Sequence, residues 1–209
     1  MIRRIEAFLQ NEKLRVDIPA LRRSDGRTDY LPAARGATLA VGETVEVEVA
    51  VRNIGVGHTF PGGTNDSNEG WLEFTLADAD GEPLMRSGQI GDDGHLDPAA
   101  HRYHALLVDA QGQGIHQRNA QDIHAPVYVR VIGPGTADVA HYQVTVPADY
   151  AGSEIRLTAR LLWRKFDRKY TEFAYHNNPA GFSAFADVPD LPVTEIARYE
   201  AVLPVGPGS

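Results

Sequence analysis

The sequence predicts an all-β fold, an antiparallel β-sandwich of the immunoglobulin-like kind. Apolar residues recur at every second position through a succession of short segments. Gly, Pro and Asp cluster between those segments at hairpin spacing. No long helical pattern lies between consecutive strands, as a parallel α/β sheet would need. With 209 residues the chain can bury a substantial core.

The elements follow in order. Ile2, Ile5, Phe8 and Leu9 have the spacing of a short N-terminal helix. From Leu14 the period falls to two through Val16 and Ile18, breaks at Pro19 and resumes at Leu21. Residues 24–35 are polar, contain Gly26 and Pro32, and read as a loop. Val45, Val47, Val49 and Val51 alternate with Glu46, Glu48, Ala50 and Arg52, a strand with one buried face. Strands are expected at 71–77 and 84–87 around an Asp78–Gly81 turn, then at 103–108 before an Asp109–Gly112 turn. Further strands are expected at 127–131, 139–146, 155–163 and 193–205. Between the last two lies one long aromatic-rich insert, 166–190, with Tyr170, Phe173, Tyr175, Phe182 and Phe185; its start reads as a helix. The expected organisation is residues 1–23 as N-terminal helix and connecting strand, 24–205 as the sandwich domain, and 206–209 as a disordered tail.

Composition removes several functions. Hydrophobic residues make up 43%, and no run nears the roughly eighteen apolar residues of a membrane-spanning helix. A net charge of −8 argues against a nucleic-acid partner, because phosphate binding needs clustered Lys and Arg. The chain has no Cys, which excludes disulfides, thiolate metal sites, Cys nucleophiles and covalent c-type haem attachment. The N-terminus is amphipathic and does not read as a secretory signal. The protein is therefore expected to be cytoplasmic, or the chain begins after a removed leader or inside a longer polypeptide.

The segment Gly55-Val-Gly-His-Thr-Phe-Pro-Gly-Gly63, running on to Trp71, carries the most information. Gly55, Gly57, Phe60, Pro61, Gly62, Gly63 and Trp71 frame one imidazole, His58, far beyond what an ordinary connection needs. His58 can ligate a metal or haem iron or shuttle a proton; equally, it can tie the loop to nearby carbonyls. The run Asn65-Asp-Ser-Asn-Glu69 offers Asp66, Asn68 and Glu69 as hard oxygen ligands, with Asp92, Asp93 or Asp97 to complete a calcium site. Asx turns are the competing use of the same side chains. His95, His101 and His104 fall within ten residues, but alternation along a strand points His101 and His104 to opposite faces, so cupin-like chemistry is weakly supported. No nucleophile elbow, phosphate loop or dinucleotide fingerprint occurs.

Beyond these separate features, the Gly-x-Gly-His-x-Phe-Pro-Gly-Gly segment resembles the haem-free C-terminal β-domain of bacterial multihaem c-type cytochromes. So do Asp66/Glu69/Trp71, Asp97-Pro-Ala-Ala-His-Arg-Tyr103, Ile132-Gly-Pro-Gly135, 159–166 and Leu191-Pro-Val-Thr-Glu-Ile-Ala197. The resemblance implies a periplasmic or extracellular, non-catalytic accessory module working with a multihaem cytochrome in electron transfer. It also implies a haem contact made through that partner, with no haem bound covalently here and His58 as a distal-ligand candidate. The alternatives from other classes are a metal-binding protein or metalloenzyme using His58, His101, Asp66 and Glu69, and a calcium-stabilised scaffold or adhesion domain.

Overall fold

A computed structural model describes residues 2–31, 37–150, 152–179 and 185–207. Helix α1 (Ile2–Gln10) leads into β1 (Leu14–Arg23), β2 (Thr28–Tyr30), β3 (Leu39–Ala40) and β4 (Thr44–Asn53). The middle of the chain forms β5 (Glu69–Ala77), β6 (Pro83–Ser87), β7 (His101–Val108), β8 (Gly114–Ile115), β9 (Ala125–Arg130) and β10 (Ala137–Thr145). It closes with β11 (Glu154–Arg164), helix α2 (Arg168–His176) and β12 (Thr194–Gly206).

Two sheets build the all-β sandwich. One runs β10-β4-β1-β2; the other runs β3-β12-β11-β5-β7-β8, with β6 also on β5 and β9 also on β7. All pairings are antiparallel except β3 with β12. The core lies between the sheets because period-two alternation turns one face of each strand inward. Val45, Val47, Val49 and Val51 of β4 are buried, as are Ile155, Leu157, Ala159 and Leu161 of β11. Phe74 of β5 stacks on Tyr142 of β10 with centroids 4.4 Å apart, joining the layers.

Several expectations are refined. Strand β1 runs through Pro19, because the register shifts between Asp17 and Ala20 and the missing N–H falls at that irregularity. β1 lies between β2 and β4, so residues 14–23 are part of the sandwich and not a connection to it. The expected loop after Arg23 contains β2, reached through a turn in which Gly26 takes φ +86°. Residues 32–36 of that loop lie outside the described residues. Gly206, expected in a disordered tail, ends β12 and pairs with Ala40; residues 208–209 are outside the description. The aromatic insert begins as α2, capped by Asp167, whose Oδ1 accepts Tyr170 N–H at 2.7 Å. Phe182 lies outside the described residues.

Candidate functional site

Asn53 ends β4 and organises the loop that follows. It is only 1% exposed. Its Nδ2 donates to the carbonyls of His58 (2.9 Å) and Ile132 (3.2 Å), and its Oδ1 accepts Val56 N–H at 3.0 Å. Phe60 then pairs with Ile132 through two backbone hydrogen bonds of 2.8 Å. The loop needs its glycines at two close approaches. A Cβ on Gly55 would lie 2.4 Å from the Glu12 carbonyl oxygen, and one on Gly62 would lie 2.6 Å from His58 Cε1.

The imidazole of His58 therefore rests on the bare backbone of Gly62 and faces solvent. Its Nδ1 is 2.7 Å from the Thr59 carbonyl oxygen. A carbonyl only accepts, so Nδ1 carries the proton in this contact and Nε2 is the ring nitrogen left for another partner. That Nε2 makes no hydrogen bond among the described residues. Beside it opens a cavity of about 420 Å³, walled by Phe8 and Leu9 of α1, Phe60, Pro61, Trp163 and Ile196. Gly55, Gly57 and Gly62 of the expected loop framework also line it; Gly63 and Trp71 do not. Trp71 is fully buried in a small cluster with Leu96 and Leu162, and its indole N–H donates to the Gly88 carbonyl at 2.9 Å.

The five expected metal ligands are not brought to one point. Glu69 is buried, and both its carboxylate oxygens accept from arginines: Oε1 from Arg102 (2.7 Å) and Oε2 from Arg164 (2.6 Å). Asn68 Nδ2 donates to the Gly62 carbonyl at 3.1 Å. Asp66 accepts Arg118 N–H at 3.2 Å. Asp97 accepts the N–H groups of Gly88 (3.1 Å) and Ala99 (2.9 Å) as a turn-forming carboxylate. His101 donates from Nε2 to Asp138 Oδ2 (2.7 Å) and accepts from Arg130 at Nδ1 (3.0 Å), so both ring nitrogens are engaged. That pair bridges the sheets, since His101 is on β7 and Asp138 on β10.

Among the described residues, Glu46, Glu48 and His141 alone form a group of three potential ligand side chains, with donor atoms within 4.8 Å of one another. Sequence reasoning read those glutamates as the solvent face of β4 and passed over His141. Cross-strand register brings Glu48 opposite His141. Arg22 ion-pairs with Glu48 and lies 3.8 Å from Glu46, so a cation of the protein's own already offsets one of the two carboxylate charges. Asn53 and Arg102 were also missed, and Arg164, which beside Lys165 reads in the sequence as solvated surface, is instead buried against Glu69. Their type gave no signal, because their roles come from partners distant in sequence.

No protein-family model matches the chain, and no curated protein does. Among solved structures it is similar to a penta-haem cytochrome c552 from Thermochromatium tepidum, at 19% identity and a TM-score of 0.55. The match covers 94% of this chain and 41% of the cytochrome, so this chain spans less than half of that protein. At that identity the likeness concerns the fold. AvmM, which catalyses macrocyclization in alchivemycin A biosynthesis, is matched at 13% identity over 95% of this chain and 92% of that one, with a TM-score of 0.37. A family 123 glycoside hydrolase from Clostridium perfringens is matched at 9% identity over 81% and 22%, with a TM-score of 0.32. Neither overlap is close enough to argue from.

Proposed function

We propose that this chain is a non-catalytic β-sandwich module that works beside a multihaem c-type cytochrome, presenting His58 Nε2 to a haem iron of that partner. The observation that carries this reading is the way His58 is held. Its Nδ1–H is tied to the Thr59 carbonyl, and the remaining nitrogen has no hydrogen-bond partner among the described residues, on a loop braced by Asn53. Orienting one ring nitrogen through a backbone carbonyl is how proteins fix a histidine for ligation by the other. The adjoining wall of Phe8, Phe60, Pro61 and Trp163 offers an apolar surface to a macrocycle edge. Nearly the whole chain also superposes on part of a penta-haem cytochrome, which supports the choice of partner class.

Adding the full-length chain to a c-type haem peptide with one open axial position tests this. The wild-type protein should move the Soret band to the low-spin, bis-imidazole position, and His58→Ala should not. Identical spectra for the two proteins would remove His58 from haem ligation.

A further inference from the structure

A strand at the end of a sheet shows a row of unpaired N–H and C=O groups. Proteins guard such edges by keeping them short, breaking them with Pro or a bulge, charging them or covering them. Most edges here are guarded. β2, β3 and β8 have three, two and two residues. β6 begins at Pro83, β9 contains Pro126, and both strands have a register shift against their neighbour. β1 and β12 are each only partly paired on their outer sides, but they pack against one another, and α1 packs on β12. β10 has none of these protections. It runs for nine residues without Pro, Gly, Lys or Arg, and its pairing with β4 is unbroken from Ala137 to Thr145. Its one carboxylate, Asp138, is turned away to His101.

Hydrogen bonds at both ends of the strand set which groups face outward. Before it, the Thr136 carbonyl accepts Asn53 N–H at 3.0 Å; after it, Val146 N–H donates to the Glu43 carbonyl at 2.9 Å. Backbone groups alternate laterally along a strand, so Asp138, Ala140, Tyr142 and Val144 bond to β4. Ala137, Val139, His141, Gln143 and Thr145 therefore aim their N–H and C=O groups away from it. Among the described residues, no second strand and no loop backbone meets those five. Their side chains are exposed on the outer face of the sheet.

We propose that a second copy of this chain adds its β10 to this edge, antiparallel, about a two-fold axis through His141. Two four-stranded sheets then become one continuous sheet. The strand is its own complement in that register. Ala137 faces Thr145, Val139 faces Gln143 and His141 faces its twin, so every outward residue meets another along the full length. Five residues on each side exchange about ten hydrogen bonds, the usual number for a protein interface. The net charge of −8 resists association in general, whereas the five outward residues carry no carboxylate or ammonium. Glu46 lies 3.1 Å from His141 Nδ1, so each imidazole brings its own counter-charge to the axis. The pairing uses the open edge of both copies and leaves the three-residue β2 at either end, so the assembly closes at two chains.

Sedimentation of the full-length chain over about 1–500 μM should show a reversible species of twice the chain mass, half-dissociated in the micromolar range. His141→Lys sets two ammonium groups face to face at the axis and should weaken the dimer at least about tenfold. Val139→Pro removes an outward N–H that β4 does not use and should leave a folded monomer. Amide exchange at Val139, His141 and Gln143 should slow as the protein is concentrated. A chain that stays monomeric to about 500 μM would overturn the proposal. So would growth beyond two chains, a dimer that neither substitution weakens, or a dimer whose β10 amides exchange at the monomer's rate.

Discussion

Asn53 engages both ends of its amide within the buried end of β4, so truncating it leaves the His58 carbonyl and Val56 N–H without their partners. Asn53→Ala should therefore cost about 2–3 kcal/mol, read as a lower urea midpoint with unchanged m-value. Gly62→Ala should behave differently. The new methyl would collide with the far end of a movable imidazole, so stability should change by less than about 1 kcal/mol. The displaced His58 would lose its hold on Thr59, and the Soret shift with the haem peptide should disappear. A large loss of stability in this variant would mean that the imidazole is locked in place. At this scale the sequence was partly legible. The special character of the 55–63 loop showed in its glycines, but the brace came from Asn53, whose type alone marks nothing. Glu69 looked like an ion ligand because its neighbours in sequence are oxygen-bearing; its actual partners, Arg102 and Arg164, lie 33 and 95 residues away.

Strands with strict alternation, such as β4 and β11, could be read directly because one buried face imposes period two. Elements without that constraint could not. β8 has two residues and exists only as a partner for the end of β7. β9 alternates as predicted, yet Val127 and Val129 are 66% and 52% exposed, since the strand pairs at an edge and covers little core. Contacts between elements were equally hidden, and the bond from His101 on β7 to Asp138 on β10 has a measurable consequence. That hydrogen bond is the main cause holding the Asp138 carboxyl below its ordinary value of 3.8. The folded state then takes up its proton at lower pH than the unfolded chain does. The stabilisation is complete above about pH 4 and is lost as pH falls through the folded-state value. Urea midpoints between about pH 2.5 and 6 should fall more steeply on acidification for the wild type than for Asp138→Asn. Parallel curves would show that the two sheets are not joined there.

The sandwich is predominantly non-local, and the four-stranded sheet shows it most plainly: β4 pairs with β10, so the Thr44 and Thr145 hydroxyls meet at 2.8 Å although 101 residues separate them. Loop-closure entropy must be overcome before such a pairing returns any stabilisation. Refolding from urea should accordingly be slow, with its main phase in milliseconds to seconds rather than microseconds, which stopped-flow tryptophan fluorescence through the buried Trp71 would time. During synthesis on the ribosome, β4 must then wait for its far neighbour, with its valine-rich inner face open to misassociation. Its two alternating glutamates, Glu46 and Glu48, both of which ion-pair with Arg22 in the folded protein, act in that interval as gatekeepers that keep a nascent strand from stacking on a stranger's edge.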